Sequence, residues 1–276
     1  MIDLLQRCAG RTASALGHSS KAIQAFRPMY ESLLDWASLK KGIPWRINGV
    51  EYRVDPHHRH RLGHEYDVPV ASLLAELIQP GWVCIDVGAN VGVYVLQLAH
   101  WSGPDGHVVA FEPNPEARKV LQRHIQWNGF AERVRVEPCA VSDARHGRAT
   151  LYRAGADGMS RLGEPNQALG SSAVALEVDA VTIDDYCSST RLQPNLLLLD
   201  IEGFEIAALS SARKLIQERG KDLEIIVEMH PGVWPSAATT RSRAELLFSE
   251  LGRRPVPLTG QSDPFGDYGT IRLVPA

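Results

Sequence analysis

Val83-Cys84-Ile85-Asp86-Val87-Gly88-Ala89-Asn90-Val91-Gly92 is the stretch whose reading decides the fold. Val83, Ile85 and Val87 are β-branched and suit a buried central strand. Gly88 removes a Cβ where the chain must turn sharply, and Gly92 lets the next helix approach the strand or a ligand. The run from Val93 to Ala99 is apolar enough for a buried helix. A strand, a glycine turn and a helix in this order place backbone N–H groups and a helix dipole where a nucleotide-like cofactor can sit.

The turn differs from the dinucleotide fingerprint G-x-G-x-x-G, because Asn90 takes the middle position. With Asp86 two residues ahead, the pattern is D-x-G-x-x-x-G, which resembles motif I of S-adenosylmethionine (SAM)-dependent methyltransferases. SAM carries a sulfonium and an amino-acid tail and no pyrophosphate, so an acid at the strand end is reasonable. Residues 107–113 form a second buried strand that ends in Glu112, twenty residues past Gly92. An acid about 20 residues on accepts hydrogen bonds from ribose hydroxyls in doubly wound folds.

The chain has 276 residues, enough for one large α/β domain with extensions. A net charge of −3 gives no electrostatic case for nucleic acid or an anionic membrane. Cys8, Cys84, Cys139 and Cys187 are scattered and form no C-x-x-C, so neither a zinc ribbon nor a disulfide framework is indicated, and a reducing cytoplasm fits. Asp3, Arg7 and Arg11 interrupt the N-terminus, where no signal peptide or spanning helix is visible.

Residues 1–18 are polar and weakly periodic. Residues 19–41 have apolar positions at helical spacing, with Pro28 near a start or a kink, and their apolar face needs a cover, a lid role or a second copy of the chain. Residues 45–54 alternate around Asn48-Gly49, a hairpin signal. His57, His58, His60 and His64 suggest a metal, but the interleaved arginines favour solvated surface or a substrate rim. An amphipathic helix over 68–78 follows Glu65 and Tyr66. Further on, the patterns predict a helix over 115–127, strands over 133–141, 195–200 and 223–230, a helix over 204–219, another over 243–252, and final strands over 254–258 and 270–274. Residues 155–170 form a polar loop between two short strands and suggest a functional loop. The division expected is an N-terminal segment over 1–64 and a cofactor domain over 65–276.

Asp86-Val87-Gly88-Ala89-Asn90-Val91-Gly92, Phe111-Glu112-Pro113, Ala140-Val141-Ser142-Asp143, Asp200-Ile201-Glu202-Gly203 and Glu228-Met229-His230 together resemble the FkbM family of SAM-dependent methyltransferases. The resemblance covers roughly residues 65–230. It implies a class I methyltransferase fold, a doubly wound Rossmann-like α/β sheet of seven strands with the last antiparallel. It also implies O-methylation of hydroxyls on sugars or secondary metabolites. The cofactor set on this reading is Glu65, Asp86, Gly88, Asn90, Gly92, Glu112, Pro113, Ala140, Val141 and Asp200. One departure is Leu198, which stands where the family often has Lys two residues before the Asp.

Methyl transfer needs an acceptor oxygen aligned with the methyl and a place for its proton. Asp200 is the first choice for base or orienting group, His230 the second, and Glu202 a substrate-binding or loop-holding acid. Asp200, Glu228 and His230 would suffice in number for a divalent cation, which is the competing use and is not the expectation. The expected partner is a small hydroxylated acceptor, with neither nucleic acid nor membrane, and with pairing of two copies open. Loop residues Asp157, Ser160 and Arg161 suit a sugar-like acceptor, and this loop or the helix around Trp36 is expected to form a lid. Two other functions compete. A nicotinamide-dependent oxidoreductase shares the first turn and the ribose acid but leaves D-x-E-G unexplained. An RNA-directed or non-catalytic methyltransferase-like module is weakened by the acidic balance.

Overall fold

The structure, a computed structural model, describes residues 21–143, 147–153, 155–156, 158, 160–166 and 172–276, with side chains from residue 25 onward. The expectations for residues 1–18, for Cys8 and for Asp157 lie outside the described residues.

Helix α1 (Lys21–Ala37) carries Pro28 within it. It buries Leu34 and leaves Phe26, Met29, Leu33 and Trp36 exposed. Strands β1 (Ile43–Ile47) and β2 (Val50–Val54) form the expected hairpin. Its two turn residues, Asn48 at φ 45° and Gly49 at φ 86°, are both left-handed, as a type I′ turn requires. Three of the four histidines go to separate partners: His57 lies 3.4 Å from Glu31, His60 contacts Arg27, and His64 stacks on Trp45.

Helix α2 (Val68–Leu77) leads into β3 (Val83–Val87), α3 (Val93–Trp101), β4 (His107–Phe111), α4 (Pro115–Trp127) and β5 (Val134–Glu137). The expected strand over 133–141 is divided. Pro138 has no N–H for the ladder, and β6 (Ala140–Val141) joins a second sheet instead. That sheet has the order β6-β9-β7-β8, with β7 (Gly147–Arg153), β8 (Arg161–Leu162) and β9 (Val174–Val181). Helix α5 (Ile183–Thr190) was not anticipated; Thr182 caps it.

Strand β10 (Leu196–Leu199) precedes α6 (Glu205–Ser210) and α7 (Arg213–Arg219), which replace the single helix expected over 204–219. The break has a cause: the Ser211 hydroxyl donates to Ala208 O and accepts from Ile183 N, while Asp184 takes the first amides of α7. Strand β11 (Glu224–Met229), helix α8 (Arg241–Glu250), β12 (Arg253–Pro257) and β13 (Gly269–Pro275) complete the chain.

The main sheet has the order β12-β13-β11-β10-β3-β4-β5. β13 runs antiparallel to both neighbours and the other six strands are parallel. This is the class I methyltransferase architecture that the sequence implied. One face packs on α2, α3, α4 and the N-terminal hairpin, the other on α5 to α8. Ile43, Ile47, Val54 and Leu62 share a core with Leu74, Leu96 and Leu198, so the N-terminal segment covers one face of the sheet. Among the described residues no helix is long and apolar enough to cross a membrane. Strand order reverses between β3 and β10, and ligands bind at such a switch point, beyond the carboxyl ends of the strands.

Candidate active site

A cavity of about 290 Å³ opens at that point. The glycine turn after β3 forms its floor. Gly88 has φ 92°, and a Cβ there would stand 1.9 Å from Asp200 O. Gly92 has φ 93°, and a Cβ would meet Leu121 Cδ1 at 2.4 Å. The two glycines therefore set how closely the turn packs on β10 and α4.

The turn is held from β4. The amides of Gly88 and Ala89 donate to Phe111 O at 3.0 and 3.1 Å. The Asn90 amide donates to Glu112 Oε2 at 2.7 Å, and the Asn114 amide to Glu112 Oε1 at 2.7 Å. Gly92 N donates to Ala89 O. The sequence suggested that turn amides face the ligand, but these four are satisfied within the protein. What faces the cavity is carboxyl and amide oxygen. Asp86 Oδ2 and Asn90 Oδ1 are buried without hydrogen-bond partners. Such acceptors suit cations and N–H or O–H groups and repel a pyrophosphate, which weighs against the nicotinamide alternative.

Burial pushes the carboxyls of Asp86 and Glu112 up to about 7; the Glu112 charge adds to the effect at Asp86, and the two accepted amides oppose it at Glu112. Each Glu112 oxygen, although engaged by one amide, keeps a second lone pair for a hydroxyl.

The remaining expected residues also line the cavity: Pro113, Ala140 and Val141 along one wall, and Asp200, Glu202 and His230 at the other end. Glu65 does not. It is exposed, and Tyr66 takes its place in the wall. The cause is Asn48 of the hairpin, whose side chain accepts from Tyr66 N and donates to Tyr66 O, fixing the chain there. Asp143 also falls outside the lining and pairs with Arg243 at 3.3 Å. The polar loop contributes Gly158, Ser160 and Arg161 to the wall, while Trp36 is solvent-exposed and away from it.

At the acceptor end, register explains the grouping. Leu198 pairs with Asp86 on one side and with Ile226 on the other. Two residues on, Asp200 and Glu228 share that face, and His230 follows in the same alternation. One ligand atom from each of Asp200, Glu228 and His230 lies within 4.8 Å of the others. The Asp200 carboxyl is held well above its usual range by burial first and by the Glu228 charge second. Glu228 receives the Tyr268 hydroxyl. Glu202 accepts from Asn166 Nδ2 at 3.0 Å. Behind His230 stands Glu205, which is fully buried; its Oε1 accepts from His230 N at 2.6 Å and from Trp234 Nε1 at 2.9 Å.

Several lining residues escaped the sequence reading. Tyr94 donates to Asp67 Oδ2 at 2.7 Å and packs edge-on against Tyr66. Asn114 bonds Gly155 O and Ser160 Oγ, tying the loop to the cap of α4. The Asn-Pro pair at 114–115 marked that cap, but no local signal marked its second job. Arg61 comes from the histidine–arginine stretch read as solvated surface or a substrate rim, and Tyr268, from a distant loop, carried no signal.

With this geometry in view, comparison with known proteins is informative. Residues 86–254 match the model of the methyltransferase FkbM domain. A 78-residue stretch, 27% of this chain and 28% of the relative, is 44% identical to 31-O-demethyl-FK506 methyltransferase FkbM of Streptomyces tacrolimicus. A 98-residue stretch, 36% of the chain, is 33% identical to the AMB antimetabolite synthetase AmbE of Pseudomonas aeruginosa, covering 4% of it. Among solved structures, methyltransferase FkbM of Methylobacillus flagellatus superposes with a TM-score of 0.50 at 17% identity, over 96% of this chain and 58% of that one. The chain thus matches less than two thirds of the length of these relatives. The family model covers well over half of the chain, from the acid of the glycine turn past Asp200, Glu228 and His230, and the chain belongs to the FkbM methyltransferase family.

Proposed function

We propose that this protein is a SAM-dependent O-methyltransferase acting on a hydroxyl of a small molecule, a sugar or a secondary metabolite. The observation that carries it is the buried, unpaired Asp86 Oδ2 beside a turn in which the amides of Gly88, Ala89, Asn90 and Gly92 are already satisfied. A wall of free acceptor oxygens fits a cationic cofactor with an amine and ribose hydroxyls. When bound, SAM supplies an electrophilic methyl on a cationic sulfur. Asp86 and Asn90 would hold its polar groups, and Glu112 its ribose. The apolar side chains of Val141, Leu151 and Leu162 offer a surface for a purine. At the other end Asp200 orients the acceptor hydroxyl beside His230, and the acidic rim takes up its proton. Five carboxyls line the cavity against two guanidinium groups, so the acceptor is neutral or cationic rather than anionic. Tyr66, Tyr94, Gly158, Ser160 and Arg161 narrow the space and limit water.

Calorimetry tests the cofactor. S-adenosylhomocysteine and SAM should bind, and Glu112→Ala should weaken both by more than about tenfold, because it loses the ribose acceptor and the anchor of Asn90. Equal affinity in the variant would remove this role; binding of NADH alone would overturn the class.

Acidity gives a second check. Asp86 and Glu112 keep protons in the folded protein up to about pH 7, whereas unfolded carboxyls lose theirs near pH 4. The folded state therefore binds more protons between those values. Stability of the ligand-free protein should fall as pH rises from about 4 through 7. SAM affinity should run the opposite way and climb by about tenfold between pH 6 and 8, because a cation favours the ionised acids. A flat affinity profile together with a flat melting profile would refute both assignments.

A further inference from the structure

The acceptor end gathers more carboxyl groups than its role in holding a neutral hydroxyl needs. Asp86, Asp200 and Glu228 project from three adjacent strands on one face, Glu202 lines the same cavity, and among the described residues none of the four forms an ion pair with Lys or Arg.

The arrangement around His230 is specific. Its Nδ1 is buried, has no hydrogen-bond partner and lies 3.8 Å from Glu205 Oε1. Glu205 is itself fully buried, and its Oε2 has no partner. A buried carboxylate behind an imidazole is the usual support of a metal-bound histidine: it fixes the proton on the rear nitrogen and leaves the front one to the metal. One ligand atom from each of His230, Asp200 and Glu228 lies within 4.8 Å of the others. Ligands of a six-coordinate cation with 2.0–2.1 Å bonds stand about 2.9 Å apart when adjacent and about 4.2 Å apart when opposite, so the three groups must draw together around the ion to complete the set.

We propose that Asp200, Glu228 and His230 form a binding site for one hard divalent cation of the Mg²⁺ or Mn²⁺ class, and that this cation holds the oxygen of the acceptor. Two carboxylates and one imidazole suit these metals and leave positions open for water and for two neighbouring oxygens of a polyhydroxylated acceptor. The inference rests on the O-methyltransferase reading for the identity of that acceptor, but not for the cation. Coordination acidifies a hydroxyl; its proton passes to Glu202, which stands outside the ligand set in the same cavity. Asp200 then orients the acceptor through the metal. Glu205 is a positioning residue for His230.

The test is titration of the full chain, stripped with a chelator and dialysed, with Mn²⁺ alone, followed by electron paramagnetic resonance of the free ion. One saturable Mn²⁺ per chain is expected, displaced by Mg²⁺. Asp200→Asn, Glu228→Gln and His230→Ala should each weaken it at least about tenfold, and Glu205→Gln about tenfold through the ring orientation. Circular dichroism establishes that each variant is folded. Absence of saturable Mn²⁺ binding in the folded wild type overturns the proposal, as does binding that all four variants leave unchanged. S-adenosylhomocysteine calorimetry on the same samples separates the two readings. Mn²⁺ bound without it sinks the methyltransferase reading and keeps the cation; the reverse sinks the cation alone.

Discussion

A Gly88→Ala variant is expected to melt about 10 °C below the wild type and to lose measurable SAM binding. The added methyl would lie 1.9 Å from Asp200 O and 2.8 Å from Ile201 Cγ2. The first of these is backbone, so relief requires moving β10 and β3 apart. The residue also has φ 92°, which strains any L side chain. Overpacking costs about 1–3 kcal/mol and sometimes more, and the positive φ adds about 1 kcal/mol. A loss of about 3–4 kcal/mol in a chain of this size is on the order of 10 °C. Gly49→Ala is the control. Its φ of 86° is similar, but no atom lies within 4 Å of the added Cβ, so only about 1 kcal/mol should be lost. Scanning calorimetry of both variants is decisive: equal losses would mean that backbone strain, not the fit between turn and β10, makes glycine necessary at 88.

The second large effect is on turnover. Asp200→Asn should lower the rate of methyl transfer by a factor on the order of 10² or more, the scale of a lost proton-handling or orienting group. SAM affinity and the melting temperature should stay near wild type. Stability is the telling part. The Asp200 carboxyl is disfavoured in its charged form by burial and by Glu228. A neutral amide of the same shape removes that penalty, so the variant should be no less stable at pH 8 and closer to wild type at pH 5. Single-turnover transfer of labelled methyl to a hydroxylated acceptor gives the rate. Wild-type turnover in Asp200→Asn would leave alignment of the two substrates as the whole of catalysis.

Much of this was legible in the chain because it is written at short range. A β-branched strand, a glycine turn and an apolar helix over 83–99 specify one strand–turn–helix unit. The repetition of that pattern at 107–127 and 195–210 specifies parallel strands with crossover helices. Acids at strand ends, Asp86, Glu112 and Asp200, could be placed at the ligand-binding edge because side-chain alternation and strand direction determine where they emerge.

What the tertiary structure decided depends on partners far apart in sequence. Glu112 was expected to meet a ribose, but its first task is to hold the Asn90 amide, 22 residues away. Tyr66 rather than Glu65 enters the wall because Asn48, eighteen residues earlier, grips its backbone. Asp200, Glu228 and His230 become one group only through the register of β10 against β11. Glu205, which reads as an ordinary first-turn helix acid, is buried behind His230 because α6 packs its first turn there. Alternation and local turn chemistry are properties of consecutive residues, so the sequence alone determined the strands, their ends and the acids they carry. Which of those acids meet, and which backbone groups are left free for a ligand, is set by strand register and loop return, and only the folded chain determines those.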